Sequence, residues 1–258
     1  MSTLGDEEVR HFTPDLEKQI NRIHTSEDGT IVHMGPYSFH KDELVNAFGG
    51  NLNPGIAPMP PIRGLNSVPM GLASFAFCSF VVSLFHVQAR DASNQSILIG
   101  SCFFYGGVIE VISGLMALIV DNTFAGTALG CFGGFWLSYG AILCNAFGIV
   151  SSYTTEEEYH SALGFFLTGW FMFSFVIWLC TFKSTWPFFS LFFLIWVWIL
   201  VLAIGTFQNN ANIIKAGGVL GLLASFNGLY LMWAGMATHE NSYFTAIPLS
   251  LPYAPKVE

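Results

Sequence analysis

Apolar runs long enough to cross a bilayer recur six times along this chain, and the polar stretches between them are short. Crossing hydrocarbon takes about 20 helical residues, and the segments near 69–88, 97–120, 127–149, 161–182, 186–207 and 215–238 reach that length. Their separators are QARDASNQS, DNTFAG, SSYTTEEEYH, KST and QNNAN. Only Lys183 and Pro187 divide the fourth run from the fifth, and the joined stretch of about 45 residues is too long for one tilted helix. The first run, NSVPMGLASFAFCSFVVSLFH at 66–86, carries no charge from Met70 to Phe85. Asn66 suits a helix cap, and Pro69 suits a first turn, where its missing N–H has no intrahelical partner to lose. Small residues at Gly71, Ser74 and Cys78 stand among Phe75, Phe77 and Phe80, the pattern of a membrane helix with one face pressed against its neighbours. The predicted fold is all-α: a polytopic bundle of six membrane helices with both termini on one face.

The pattern also divides the chain. Residues 1–30 are polar and poorly periodic and are expected to be a disordered acidic tail. Residues 31–65 read as an amphipathic segment, with an extended piece, a Gly-Pro turn at 35–36 and a helical turn or two through Leu44, Val45 and Phe48. A proline-rich connector, NLNPGIAPMPPIRGL, follows it. The membrane domain covers 66–240, and a C-terminal tail covers 241–258. Glycines recur on single helix faces: Gly100, Gly107 and Gly114; Gly126, Gly130 and Gly134; Gly217, Gly221, Gly228 and Gly235. Such stripes predict close helix contact and a compact bundle.

Composition changes this picture little and excludes much. Of 258 residues 53% are hydrophobic and 10% charged, against roughly 25% charged in soluble domains. The net charge of −8 comes mostly from the flanks, so no nucleic-acid partner is expected. The acidic N-terminus lacks an apolar core, so no cleavable signal peptide is expected, and insertion falls to the internal spans. With the N-terminus inside, Arg63, Lys183 and Lys256 lie inside against Arg90 and Lys215 outside, which favours cytoplasmic termini. Cys78, Cys102, Cys131, Cys144 and Cys180 all fall in apolar runs without metal or redox spacing, and read as buried free thiols.

Chemistry-bearing residues are few. Glu110 is the ionisable carboxylate in mid-span; burying it charged costs about 3 kcal/mol on insertion scales, so it should face the bundle interior or a wet cavity. It reads either as a proton carrier beside a solute path or as a neutral acid bonded to a neighbouring helix. His86 ends the first span, where it either titrates or sits satisfied at the interface. Asn122 and Thr123 suit the start of the third helix, and Asn145 and Asn227 read as intramembrane amides that tie helices together. No nucleophile elbow, metal set or phosphate loop is present, so neither an enzyme nor a cofactor or metal protein is expected.

NSVPMGL at 66–72 resembles the Asn-Pro-Ala-Pro-Leu-Gly-Leu signature of the acetate uptake transporters, also called succinate–acetate permeases; Pro69, Gly71 and Leu72 carry the match at the helix start. The resemblance continues through FYGG (104–107), DNTF (121–124), FGGFWLSYGA (132–141), LGFFLTGW (163–170), TFKST (181–185) and AGGVLG (216–221). The flanks DELVNAFGGNLNPGIAP and ENSYFTAIPLSLP are similar to those of fungal members. The resemblance implies a six-helix protomer in a ring-forming homo-oligomer, a hexamer, each protomer with its own path for small monocarboxylates. It also implies a hydrophobic constriction, with Phe75 as its aromatic residue, Phe132 in place of the family's tyrosine and Ile195 in place of its leucine. Ser67, Val68 and Met70 depart from the signature.

A carboxylate path needs donors at its mouth, and Asn66, Asn122, Thr123 and Thr127 are candidates together with the free N–H groups of a helix start. A solute crossing as the acid, or with a proton, loses most of its charge cost, which would give Glu110 a task. The expected function is passage of acetate or a similar monocarboxylate at the plasma membrane. The alternatives are export of ammonia or ammonium, and a membrane acid-stress sensor that transports little.

Overall fold

A computed structural model of the chain describes residues 23–26, 28–41, 43–44, 66–247 and 249–252. They fall into two compact units, one within Met1–Ile62 and one within Arg63–Glu258.

In the first unit, strands β1 (Ile23–Thr25), β2 (Ile31–Met34) and β3 (Tyr37–His40) form an antiparallel sheet in that order. Met34 pairs with Tyr37, so β2 and β3 are joined by Gly35-Pro36 alone. Gly35 has φ +60° in the first central position, where a type II′ hairpin turn calls for glycine. The expected extended piece and Gly-Pro turn are therefore two arms of a hairpin. Ile23–Thr25, read from sequence as part of the disordered 1–30 tail, is instead its third strand. Three residues without clear alternation carry no signal of their own, and the ladder to β2 supplies it. Between β1 and β2 the Ser26 and Thr30 hydroxyls and the Thr30 amide donate to Asp28, and these bonds, Ser26 first, hold its carboxyl below the usual range. Glu43 and Leu44 are helical. Val45, Phe48, the connector 51–65 and residues 1–22 lie outside the described residues.

Among its described residues the second unit contains six helices long and apolar enough to cross a membrane: α1 (Val68–His86), α2 (Leu98–Ile119), α3 (Thr123–Leu143), α4 (Glu156–Leu179), α5 (Trp186–Phe207) and α6 (Ala211–Met236). α5 starts and ends as its apolar run does. The others differ at their ends because caps, which hydropathy does not register, set where helices begin. Asn122 accepts from the Ala125 amide at 3.1 Å and starts α3 four residues before its apolar run. Thr155 accepts from the Glu158 amide at 3.2 Å and the Glu158 carboxylate accepts from the Thr154 amide, so α4 begins inside the separator, three glutamates lying in its first turn. Those acids suit the positive end of the helix dipole. Asn210 accepts from the Asn212 and Ile213 amides at the start of α6. At α1 the cap residue is Ser67 rather than Asn66; Asn66 accepts from the Val68 amide at 3.3 Å, and Pro69 sits in the first turn. α3 ends at Leu143, so Asn145 lies exposed in the segment after it rather than within a helix long enough to cross a membrane.

Contacts between α1 and α6, α4 and α5, α5 and α6, and α2 and α3 carry the bundle. The α6 glycines explain the first. A side chain added at Gly218 would meet His86 and Val87, at Gly221 Ser83 and Trp198, at Gly228 Ala76 and Phe75, and at Gly235 Pro69. The stripe thus runs the whole length of α1, antiparallel to it, and absent side chains let the backbones approach. Gly114 of α2 similarly lies against the Gly130 backbone of α3, whereas Gly100, Gly130 and Gly134 have open space where a side chain would extend. Ser101–Ile109 of α2 is π-helical, a feature no sequence pattern announced. It faces α3 and α1 through Gly106, whose added Cβ would lie 2.7 Å from Trp136 and 2.8 Å from the Cys78 sulfur.

Candidate functional site

Phe75, Phe132 and Ile195 stand near the midpoints of α1, α3 and α5. They are exposed by only 4%, 4% and 3%. All three line one cavity of about 460 Å³. Phe132 is the hub: its ring centroid is 6.4 Å from Phe75, 5.4 Å from Phe173, 6.3 Å from Trp170 and 6.5 Å from Phe192. Phe192 continues through Phe124 and Phe188, at 5.4 and 5.1 Å, so an aromatic column extends from the cavity end toward the starts of α3 and α5. Aromatic packing of this kind excludes water, and a closed apolar neck of a path gates by dewetting.

The other end of the cavity is polar. Ser93, Asn94, Gln95 and Ser96 from the α1–α2 loop, His86 at the end of α1, Tyr139 from α3 and Tyr159 and His160 from the start of α4 line it. The Tyr139 hydroxyl donates to the Gln95 side-chain oxygen at 3.0 Å. The Nδ1 atoms of His86 and His160 are buried without hydrogen-bond partners. Among the described residues no carboxylate lines the cavity, and hydroxyls, amides and imidazoles of this kind suit an acceptor-bearing solute.

The remaining predicted residues lie elsewhere. Glu110 is 1% exposed and sits behind the cavity wall rather than in it. Neither of its oxygens has a hydrogen-bond partner of normal geometry, although the Trp136 indole, which lines the cavity, is turned toward it. Asn66, Asn122, Thr123 and Thr127 are not among the lining residues and are exposed. Asn66 also donates to the Gly235 carbonyl at 3.4 Å, which brings the start of α1 to the end of α6, on the face opposite the polar mouth. Pro69, Gly71 and Leu72 pack in the bundle: a Cβ on Gly71 would meet Ser113 and Leu129. Ser67, a departure from the signature, donates to the Ser113 carbonyl at 2.8 Å while Ser113 donates to the Ser67 carbonyl. Asn227 ties α6 to α5 through the Ser190 hydroxyl at 2.8 Å.

Sequence reasoning missed most of the mouth. His86 was visible as a titratable end residue, but Gln95 lies in a separator and Tyr159 and His160 in another. Their only signal is that two polar separators, after α1 and after α3, emerge on the same face of a bundle whose helices alternate direction.

These features define a six-helix membrane protein with a cavity lined by aromatic rings on one side and hydroxyls, amides and imidazoles on the other. The chain belongs to the GPR1/FUN34/yaaH family, which matches residues 48–253. It is 42% identical over 243 residues to ammonia transport outward protein 2 of Saccharomyces cerevisiae, covering 93% of this chain and 86% of that one. It is 36% identical over 227 residues to acetate permease A of Emericella nidulans, covering 83% and 76%. Among solved structures, that of the bacterial acetate channel SatP superposes with a TM-score of 0.64 at 27% identity, covering 73% of this chain and all of that one.

Proposed function

We propose that this protein passes small monocarboxylates, acetate foremost, across the membrane, one path in each protomer. The observation that carries the reading is the cavity itself, with Phe75, Phe132 and Ile195 from three helices at one end and hydroxyls, amides and imidazoles, among the described residues without a carboxylate, at the other. A carboxylate meets donors at the mouth, and its methyl group suits the neck. The neck takes the anion poorly and the protonated acid well, because removing the charge removes most of the desolvation cost. Glu110, buried and unpaired beside Trp136, is the group suited to hold the proton that accompanies the solute.

The protein lies in the plasma membrane with cytoplasmic termini, by the balance of Arg63, Lys183 and Lys256 against Arg90 and Lys215. It forms a ring, a hexamer, whose neighbours cover part of the exposed apolar faces of α2 and α4, such as Phe104 and Phe165. The relatives named as permease and channel support a transporter rather than an enzyme. A second reading, release of ammonia, draws on the relative named for that transport, and an aromatic neck passes neutral ammonia more readily than a bare cation.

Uptake of labelled acetate into proteoliposomes tests the first reading against the second, with labelled methylamine in parallel. Saturable acetate uptake that unlabelled acetate suppresses is the expected result. Methylamine flux without acetate flux would move the assignment to ammonia, and neither flux from folded protein would favour the sensor.

A further inference from the structure

The α1–α2 loop is both strained and thinly held. Gln88, Arg90 and Asp91 have φ of 56°, 55° and 57°, the left-handed region that side chains with a Cβ disfavour sterically. Its other hydrogen bonds are local: Asp91 to Gln88, Ala92 to Ala89, Ser96 to Asn94, Leu98 to Gln95. Among the described residues, the one hydrogen bond that ties this loop to a helix other than the two it joins is that from the Tyr139 hydroxyl to Gln95. Tyr139 itself is well fixed, stacked on Phe135 at 5.8 Å and 10° and edge-on to Trp136 at 6.4 Å. Both partners line the cavity mouth.

We propose that this loop is a gate over the cavity, latched by Tyr139 and released by the solute. A phenol has one O–H to donate. In the latched form it goes to the neutral amide oxygen of Gln95. A carboxylate in the mouth is the stronger acceptor, since charge-assisted hydrogen bonds are shorter and about twice as strong as neutral ones. The hydroxyl turns to the carboxylate, Gln95 is freed, and the strained backbone of 88–91 relaxes away from the mouth. The solute half of this proposal rests on the monocarboxylate reading; the latch half does not.

Hydrogen–deuterium exchange of the full chain in nanodiscs, followed on peptides covering 88–96, tests both halves. In acetate-free buffer Tyr139→Phe is expected to exchange about fivefold faster there than the wild type, the factor one ordinary hydrogen bond confers, with the 191–203 peptide of α5 unchanged. Gln95→Leu removes the acceptor from an outlying loop and is expected to do the same, which covers the case in which Tyr139→Phe misfolds. Gln95→Glu, with a charged acceptor, is expected to slow exchange. Sodium acetate, against sodium chloride, is expected to speed exchange in the wild type and to leave Tyr139→Phe unchanged. Wild-type rates in both Tyr139→Phe and Gln95→Leu overturn the latch, and no response of the wild type to acetate overturns release by solute. Acetate uptake measured on the same preparations separates the two ideas: wild-type protein without uptake sinks the transport reading, while the acetate-free comparison still judges the latch.

Discussion

Glu110 and Ser67 show how single residues acquire meaning from their surroundings. A carboxyl that is 1% exposed and without a formed hydrogen bond is costly to keep charged, so its task is best served when it holds a proton. Glu110→Gln keeps the shape and the neutral state. We expect acetate uptake to persist in this variant and its rise with an inward proton gradient to disappear; an undiminished gradient dependence would exclude Glu110 as the proton site. Ser67 replaces a signature proline, and its hydroxyl enters a reciprocal pair with Ser113. Interhelical bonds of this type contribute about 1 kcal/mol in membrane proteins. Each hydroxyl donates to the other residue's backbone carbonyl, so Ser67→Ala and Ser113→Ala should each cost about 1 kcal/mol in thermal unfolding and the double variant about the sum; no loss in either would remove the pair from the packing of α1 on α2. At the proposed neck, Phe132→Tyr adds a hydroxyl to a ring that packs on Phe75, Phe173 and Phe192, and that hydroxyl can donate to a passing carboxyl group. Faster acetate uptake is the expected outcome, with some loss of melting temperature from burying the hydroxyl; a lower melting temperature without faster uptake would assign Phe132 to packing alone.

At the scale of elements, the helices are brought together where side chains are missing. Gly114 lies so near α3 that an added Cβ would stand 2.5 Å from the Gly130 amide nitrogen. Backbone cannot yield as a flexible side chain can, so Gly114→Ala should cost about 1–3 kcal/mol, the range for overpacking, read as a lower melting temperature in detergent. Gly134→Ala is the control, because its methyl would meet nothing within 4 Å inside the protomer; a large loss there would report a neighbouring subunit. Glycine spacing in the sequence did not separate these cases. Heptad steps at Gly100, Gly107 and Gly114 look alike on paper, yet the first is exposed and the other two are buried. Likewise, the ends of α3, α4 and α6 moved by four or five residues because Asn122, Thr155 and Asn210 bind backbone amides. Hydropathy measures what the bilayer needs, and caps measure what the helix needs.

For the whole molecule, the tail and the bundle are separable in function on the transport reading. Removing residues 1–22 should leave acetate uptake in proteoliposomes unchanged; a loss of a cellular acid response with uptake intact would instead favour the sensor. The sequence by itself determined the membrane class, the number of spans and the bounds of α5, because apolar runs of bilayer length have no other stable setting. It also singled out Phe75, Phe132 and Ile195, through resemblance rather than through periodicity. Tertiary structure alone decided that these three share a cavity with His86, Gln95, Tyr139 and His160, and that Asn66, Asn122, Thr123 and Thr127 do not. The reason is geometric. Which residues meet depends on how each helix is rotated about its axis and on which loops emerge at one face, and a π-helical stretch such as Ser101–Ile109 changes that rotation without altering the apolar pattern that the sequence displays.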